Sequence, residues 1–381
     1  MHPSDFTEKQ RGYVVPAMHT AWAFVPPPLP RLIDLPPELI VKLSEADRLI
    51  GRLSGVGGAL PNPTLLVRPL ARREAVLSSR IEGTVTTVAQ LALFEASAAD
   101  DVIAHDTPEV FNYHVALQHG LDPERRVPLS LRLIRDLHRI LMNKVRRSDP
   151  TPGEFRKVQN FIGTSTRPLD ARYVPPPVPQ MGACLQDFEQ FIQPDTALPP
   201  LIRLAMIHYQ FEAIHPFFDG NGRVGRLLLS LLLCEYRVLP TPLLHLSAFF
   251  EAHREDYYDS LRRVSTHDDW RGWFAYFLDA AIQESQSTMD RIMRVNSLRE
   301  SYQQRLREAK QTAKTAQVVD DLFMLPVAMP LSVAKKLQIT PRGAYKMIAR
   351  LEQLGIISLM PGNSRYGRVY WCPEILKAFE G

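Results

Sequence analysis

The sequence predicts a mainly α protein, with one small β-hairpin set into a helical body and a winged helix-turn-helix at the C-terminal end. Three observations carry that reading. Apolar residues recur at helical spacing over most of the chain, as in Leu39, Ile40, Leu43, Ala46, Leu49 and Ile50. Residues of β type gather in one interval, 154–179, on both sides of a polar, proline-bearing turn. The last fifty residues follow the order helix, short turn, helix, hairpin.

Taken in order, residues 1–37 are aromatic and proline-rich without periodicity and read as an extended arm lying over the body. The 32 prolines cluster at 26–30, 36–37, 61–63 and 175–179, which marks connectors. A first helix starts at Glu38, and glycines and prolines from Gly51 to Pro63 break it. A second covers 66–81 and stops at Gly83 in a C′ position. Further helices are expected at 86–98, 107–118, 130–145 and 181–192. The runs 201–214 and 227–239 are apolar enough to be central in a bundle. A polar helical stretch at 281–316 leads to helices at 331–337 and 342–354 and a hairpin of 356–359 with 368–371.

Composition removes several classes. The 381 residues, 45% apolar and 23% charged, have ordinary globular usage, which excludes a disordered or collagen-like chain. Cys184, Cys234 and Cys372 are far apart with no C-x-x-C spacing, so neither a disulfide framework nor a cysteine zinc site is indicated. The longest apolar run, Leu227–Cys234, is far below the roughly 18 residues of a membrane span, and the expectation is a cytoplasmic protein without membrane contact. Charge is uneven: residues 301–381 carry twelve Lys/Arg against six Asp/Glu, a net +6, leaving −2 for the rest of a chain whose total is +4. Neither a Walker A string nor a kinase H-R-D loop is present.

Between the two central helices stands HPFFDGNGRVGR, residues 215–226, where each polar residue has a chemical use. A helix beginning near Gly222 aims the backbone N–H groups of Gly220, Asn221 and Gly222 outward as an anion cradle. Arg223 and Arg226 can clamp phosphate oxygens. Asp219 is a hard ligand suited to Mg²⁺, and His215 is the natural general base. The fixed positions H-x-F-x-[D/E]-G-N-G-R-x-x-R should arise by chance less than about once in a million such chains.

That string resembles the signature of the Fic family, whose enzymes move AMP from ATP to a hydroxyl side chain of a target protein. The resemblance implies a Fic-type helical core with a β-hairpin flap. It implies that His215 deprotonates the hydroxyl and Asp219 holds Mg²⁺. Gly220, Asn221, Gly222 and Arg223, with Val224 and Gly225 behind them, would bind the triphosphate, and Arg226 the γ-phosphate, while Phe217 anchors the loop. Upstream, Ser78, Glu82 and Gly83 fit the family's inhibitory pattern [S/T]-x-x-x-E-[G/N], which implies a carboxylate on Arg226 as an intramolecular brake. Residues 159–177 resemble the flap that receives a target segment, and 247–261 the helix beside adenine, with His253 and Tyr257 or Tyr258 at the base. The implied domains are a helical region with the brake at 1–99, the Fic core at 100–285, and a linker helix with the winged helix at 286–381.

The tail adds an expectation of a different class. Arg342, Lys346 and Arg350 form one basic stripe opposite Ala344, Met347, Ile348 and Leu351, with Arg365 and Arg368 in the wing. Residues 330–372 could therefore meet DNA, and a homodimer is the other expected use of such a module. The sequence leaves three readings of the chain beside one another: an ATP-using adenylyltransferase acting on a target protein and on itself, a Fic enzyme that uses another nucleotide or removes AMP, and a nucleotide-sensing transcriptional regulator.

Overall fold

The computed structural model describes the chain except residues 18–20, 59–61, 98–105, 144, 146–150, 164–166, 194–196, 362–367 and 381. The N-terminal arm is more ordered than its aperiodic sequence predicts. After a short helix, α1 (Glu8–Arg11), it forms an antiparallel hairpin of β1 (Val14–Pro16) and β2 (Trp22–Phe24), with Val14 opposite Phe24. Phe24 is buried, stacks on Phe6 at 5.7 Å, and donates its backbone N–H to the Val174 carbonyl at 3.0 Å. The arm thus braces the 154–177 segment.

α2 (Pro37–Gly58) runs straight through the glycines expected to end it. Its buried stripe of Leu39, Leu43, Ala46, Leu49, Ile50 and Leu53 lies along α12, and that tertiary packing outweighs the weak propensity of glycine. Gly57 is needed there, because a Cβ would collide with the buried Leu243 side chain. α3 (Thr64–Ile81), α4 (Val88–Ser97), α5 (Thr107–Leu121), α6 (Leu131–Leu141) and α7 (Val178–Phe191) stand close to their expected positions. α8 (Pro200–Ile214) and α9 (Asn221–Glu235) are the central pair. Every α8 residue from Leu201 to Ile214 is buried except Glu212, which is half-buried.

α10 (Ser247–Ala252) and α11 (Arg254–His267) are separated at His253. α12 (Trp270–Glu308), about 58 Å long at 1.5 Å per residue, starts well before the expected 281 because Trp273, Phe274, Phe277 and Leu278 are buried in the body. It ends before the expected 316, where Lys310 takes a left-handed φ of 49° and α13 (Ala313–Met324) begins with Thr312 as its cap. The boundary expected after residue 285 falls inside this unbroken helix, at the buried Ser285, while the one expected at 99/100 lies outside the described residues.

The C-terminal unit has the expected order: β3 (Val327–Ala328), α14 (Pro330–Leu337), α15 (Pro341–Gln353), β4 (Ser358–Leu359) and β5 (Tyr370–Trp371). The three strands are antiparallel in the order β3-β5-β4, and α16 (Pro373–Glu380), which the sequence reading did not anticipate, packs on α12 and α3. Arg365 and the turn at its tip lie outside the described residues, whereas Arg368 is exposed.

The hairpin expected at 154–179 is reduced to one antiparallel bridge, Ile162 with Tyr173, and its tip at 164–166 is outside the described residues. Its polar groups bond to the end of α8 and the loop that follows it instead of across a ladder. The Arg156 and Asn160 side chains donate to the His215 carbonyl at 2.9 Å and the Phe217 carbonyl at 3.0 Å, and Tyr173 Oη donates to the Ala213 carbonyl at 3.0 Å.

Candidate active site

The loop 215–220 leaves α8 by a left-handed residue, His215 at φ 48°, and enters α9 by another, Gly220 at φ 78°. Gly220 is the only residue type that satisfies both that angle and its surroundings, since a Cβ would press on Met142 Sδ and Leu141. Two side chains hold the loop between these turns. Asn221 accepts from the Phe217 N–H at 2.8 Å and donates to the Phe217 carbonyl at 2.9 Å. His138 accepts the Gly153 N–H at Nδ1 (2.8 Å) and therefore donates from Nε2 to the Asp219 carbonyl at 3.0 Å, while its ring stacks on Phe217 at 3.7 Å. Phe217, 0% exposed, anchors the loop as expected.

A cavity of about 470 Å³ opens beside this loop, and Glu82, Glu212, His215, Gly222, Arg226, Tyr257 and Tyr258 are among its lining residues. His215 Nδ1–H donates to the Glu212 carbonyl at 3.3 Å, because a carbonyl can only accept, and Nε2 is left as the basic nitrogen. Burial, helped by the nearby Arg156 guanidinium, pulls the His215 pKa down to about 4, so the ring is neutral at pH 7.

Arg226 is buried, and its Nε and Nη2 donors are already engaged. Nε donates to Ser78 Oγ at 2.9 Å, and Nη2 donates to the Ser78 carbonyl at 2.9 Å and to Glu82 Oε1 at 2.6 Å. Burial alone would raise the Glu82 carboxyl, but Arg226 outweighs it and holds the group below its ordinary value. Glu82 is the C-cap of α3, the unfavourable end of that helix's dipole, yet its carboxylate rests over the N-terminus of α9, where a Cβ on Gly222 would collide with Oε1. Gly83 follows at φ 88° and turns the chain away. A carboxylate therefore sits where the sequence placed an anion cradle.

Some expected residues stand elsewhere. Asp219 and Arg223 flank the cavity without lining it; Arg223 is buried, ion-pairs with Glu109 and lies 3.6 Å from Asp219. Val224 points into the core, and Gly225 packs under the Glu212 carboxyl, so neither offers a side chain to a ligand. His253 is exposed and does not line the cavity, because its Nδ1–H caps the Phe249 carbonyl at 3.1 Å and its ring leans on Phe249. Tyr257 lines the cavity by one edge only. Its hydroxyl bonds His208 Nε2 at 2.7 Å and its ring stacks on Phe250 at 4.6 Å. Tyr258 is the more available ring, with Arg172 and Arg254 over it at 5.4 and 5.7 Å.

Four contributors escaped the sequence reading: Glu109, His138, Arg156 and Glu212. The first three act across elements, with nothing in their local strings to mark them. Glu212 carried a signal, one carboxylate in an apolar helix one turn before His215. Burial pushes it up to about 8, with Arg226 opposing and Glu82 adding, and its Oε1 has no hydrogen-bond partner.

Comparison with known proteins agrees with this geometry. Residues 40–122 match the "Fic/DOC family N-terminal" description and residues 128–233 match "Fic/DOC family". The chain is 31% identical over 159 residues to "Protein adenylyltransferase Fic" of Drosophila grimshawi, covering 40% of this chain and 31% of that protein. It is 30% identical over 159 residues to the Drosophila melanogaster protein of the same name. It thus spans less than a third of the length of these relatives. Among solved structures, a Fic family protein from Desulfovibrio desulfuricans G20 superposes with TM-score 0.58 at 19% identity, covering 91% of this chain and 98% of that one. Fic-1 (residues 134–508) from C. elegans gives 0.51 at 22% identity, covering 66% and 73%. At these identities the structures speak for the fold. The two adjoining sequence matches take in both the α3 segment that ends at Glu82 and the 215–226 loop it closes on, and the chain belongs to the Fic/DOC family.

Proposed function

We propose that this chain is a protein adenylyltransferase held in check by its own Glu82, moving AMP from ATP to a Tyr, Ser or Thr hydroxyl of a target protein and of itself. The observation that carries the reading is the juxtaposition of a neutral His215, an anion-binding helix N-terminus at Gly222, and Arg226 in one cavity. In this mechanism His215 Nε2 takes the hydroxyl proton while the hydroxyl oxygen forms a bond to the α-phosphorus. The bond from that phosphorus to the bridging oxygen breaks, and pyrophosphate leaves. The α9 N-terminus and Arg226 hold the remaining phosphates in line, which supplies orientation and charge stabilisation. Asp219, its side chain 44% exposed, offers a hard oxygen donor that fits a Mg²⁺ held mainly by phosphates, and the ion bound there would neutralise phosphate charge.

The brake follows from the same contacts. Arg226 cannot clamp a γ-phosphate while Glu82 and Ser78 hold it, and the Glu82 carboxylate lies over the cradle. The backbone edge at Ile162 and Gly163, which borders the cavity, is where an extended target segment would add as a strand.

The test is intact-mass spectrometry of Glu82→Gly protein with Mg²⁺ and, in separate reactions, ATP, CTP, GTP or UTP. The expected result is a gain of one AMP with ATP alone, absent when His215→Ala is added. A gain from another nucleotide would reassign the donor. No gain, together with loss of AMP from a modified substrate, would reverse the direction of the reaction.

A further inference from the structure

The C-terminal unit carries a long run of cations without a carboxylate. From Leu322 to Leu351 there is no Asp or Glu, while Lys335, Lys336, Arg342, Lys346 and Arg350 fall within the same thirty residues. All five are exposed, and the fold sets three of them along one face. α14 and α15 are joined by only Gln338–Thr340, with Gln338 at φ 51°, so the second helix turns sharply off the first. α15 buries Ala344, Ile348 and Leu351, which fixes its rotation and turns Arg342, Lys346 and Arg350 to solvent along the opposite face.

These cations are not neutralised from within. Lys336 pairs with Asp321 at 2.7 Å, but among the described residues no carboxylate is ion-paired with Lys335, Arg342, Lys346 or Arg350; Arg350 donates only to the neutral Gln353 at 3.1 Å. A row of like charges kept apart from the chain's own carboxylates is stable in water but is electrostatically complementary to a polyanion. The row from Arg342 to Arg350 spans about 12 Å of helix, close to the roughly 12 Å width of the DNA major groove. Thr340, the N-cap, and Arg342 in the first turn are exposed at the leading end, where a recognition helix meets bases. The one large apolar side chain exposed on that face of α15 is Tyr345, at 40%, too little for the apolar centre of a protein interface.

We infer that α15 is a recognition helix for duplex DNA, its outward face entering the major groove with Arg342, Lys346 and Arg350, while Lys335 of α14 meets the flanking phosphates. This activity rests on the C-terminal surface alone and is independent of the nucleotide chemistry proposed above.

The test is fluorescence anisotropy of the full chain with a labelled mixed-sequence duplex of about 24 base pairs. With about four phosphates neutralised, log Kd should change with log salt at a slope of about 3.6, a weakening of about 150-fold between 50 and 200 mM NaCl. The double variant Arg342→Ala/Lys346→Ala should weaken binding at 50 mM at least about 10-fold. The control Arg48→Ala/Arg271→Ala, which removes two exposed cations from the body, should leave it unchanged. Circular dichroism of both variants should match the parent, and self-modification in the Glu82→Gly background should be unaffected. Absence of binding at 50 mM, an equal loss in the control, or displacement of the duplex by polyglutamate as readily as by unlabelled duplex would overturn the assignment. The last result would make the surface a dock for an acidic protein.

Discussion

The cations of the helical body and those of the C-terminal unit are used in opposite ways. In the body three arginines are buried and matched: Arg72 makes a bidentate pair with Glu95 at 2.6 and 2.9 Å and donates to the Met324 carbonyl, Arg223 pairs with Glu109, and Arg226 with Glu82. On α15 they are exposed and unmatched. A buried cation without its carboxylate carries a desolvation cost that an exposed one does not. The Glu82–Arg226 pair differs from the other buried pairs because the Glu82 side chain is 34% exposed and lies at a helix end, where it can leave. On the proposed reading, function in the body depends on breaking one internal pair, whereas among the described residues Arg342, Lys346 and Arg350 of α15 have no carboxylate pair to break.

The largest effect expected from this contrast is chemical. In the Glu82→Gly background, His215→Ala should slow AMP transfer by about 1,000-fold, the scale of a general base, while ATP still binds. A residual rate within tenfold of the parent would remove His215 from the proton transfer. Replacing Gly222 with Ala places a Cβ at the position of Glu82 Oε1, so it should expel the brake and fill the cradle together. Transfer should then stay low even without Glu82 contact, and a gain of activity would show that the cradle is not needed.

Acid should act next. Burial holds His208 and His245 near 3 and His114 and His215 near 4, all neutral inside the fold. Each binds its proton more weakly folded than unfolded, so its stabilisation is present above pH 6.5 and is lost as pH falls toward the folded value, by up to about 1.4 kcal/mol per pH unit. Glu212, raised to about 8, has the opposite sign and costs stability as pH rises from about 4.5 to 8. Melting temperatures measured from pH 7 to 4 should fall, and a flat profile would mean that these rings are not buried neutral.

Substitutions sharpen the comparison at smaller scale. Arg72→Ala leaves Glu95 and the Met324 carbonyl without their donor and should cost about 3 kcal/mol in chemical denaturation. Glu82→Gly should lower stability by about 1 kcal/mol in the absence of nucleotide, since Arg226 loses its counter-charge but keeps Ser78, and saturating ATP should restore it. Lys346→Ala should change stability by less than about 0.5 kcal/mol. Equal costs for Arg72 and Lys346 would erase the distinction between the two regions.

The site was legible in sequence where its chemistry demands particular residues at fixed spacing. His215, Asp219, the three-residue cradle and Arg226 could be proposed because a turn between helices leaves few alternatives for glycine and charge, whereas Glu82 was expected only through the family resemblance. The supports were not legible, since Arg156 and His138 reach the loop from segments whose local pattern says only hairpin or helix. Backbone roles misled as well. Gly51, Gly55, Gly57 and Gly58 looked like a helix stop, yet packing along α12 keeps them helical. Among the described residues, the β-type residues of 154–177 bridge one another only at Ile162 and Tyr173, because the loop takes their hydrogen bonds. His253 shows the opposite limit: family resemblance placed it at the nucleotide, while a local carbonyl cap holds it outside the cavity.

The central claim is that Glu82 and a nucleotide compete for Arg226 and the N-terminus of α9. Its most direct test is the initial rate of AMP addition to the chain itself, followed by intact mass in wild-type and Glu82→Gly proteins side by side with ATP and Mg²⁺. The account predicts a rate at least about tenfold higher without the carboxylate, as expected when a charge-assisted contact worth about 1.4 kcal/mol or more no longer has to be displaced. Equal rates in the two proteins would contradict it.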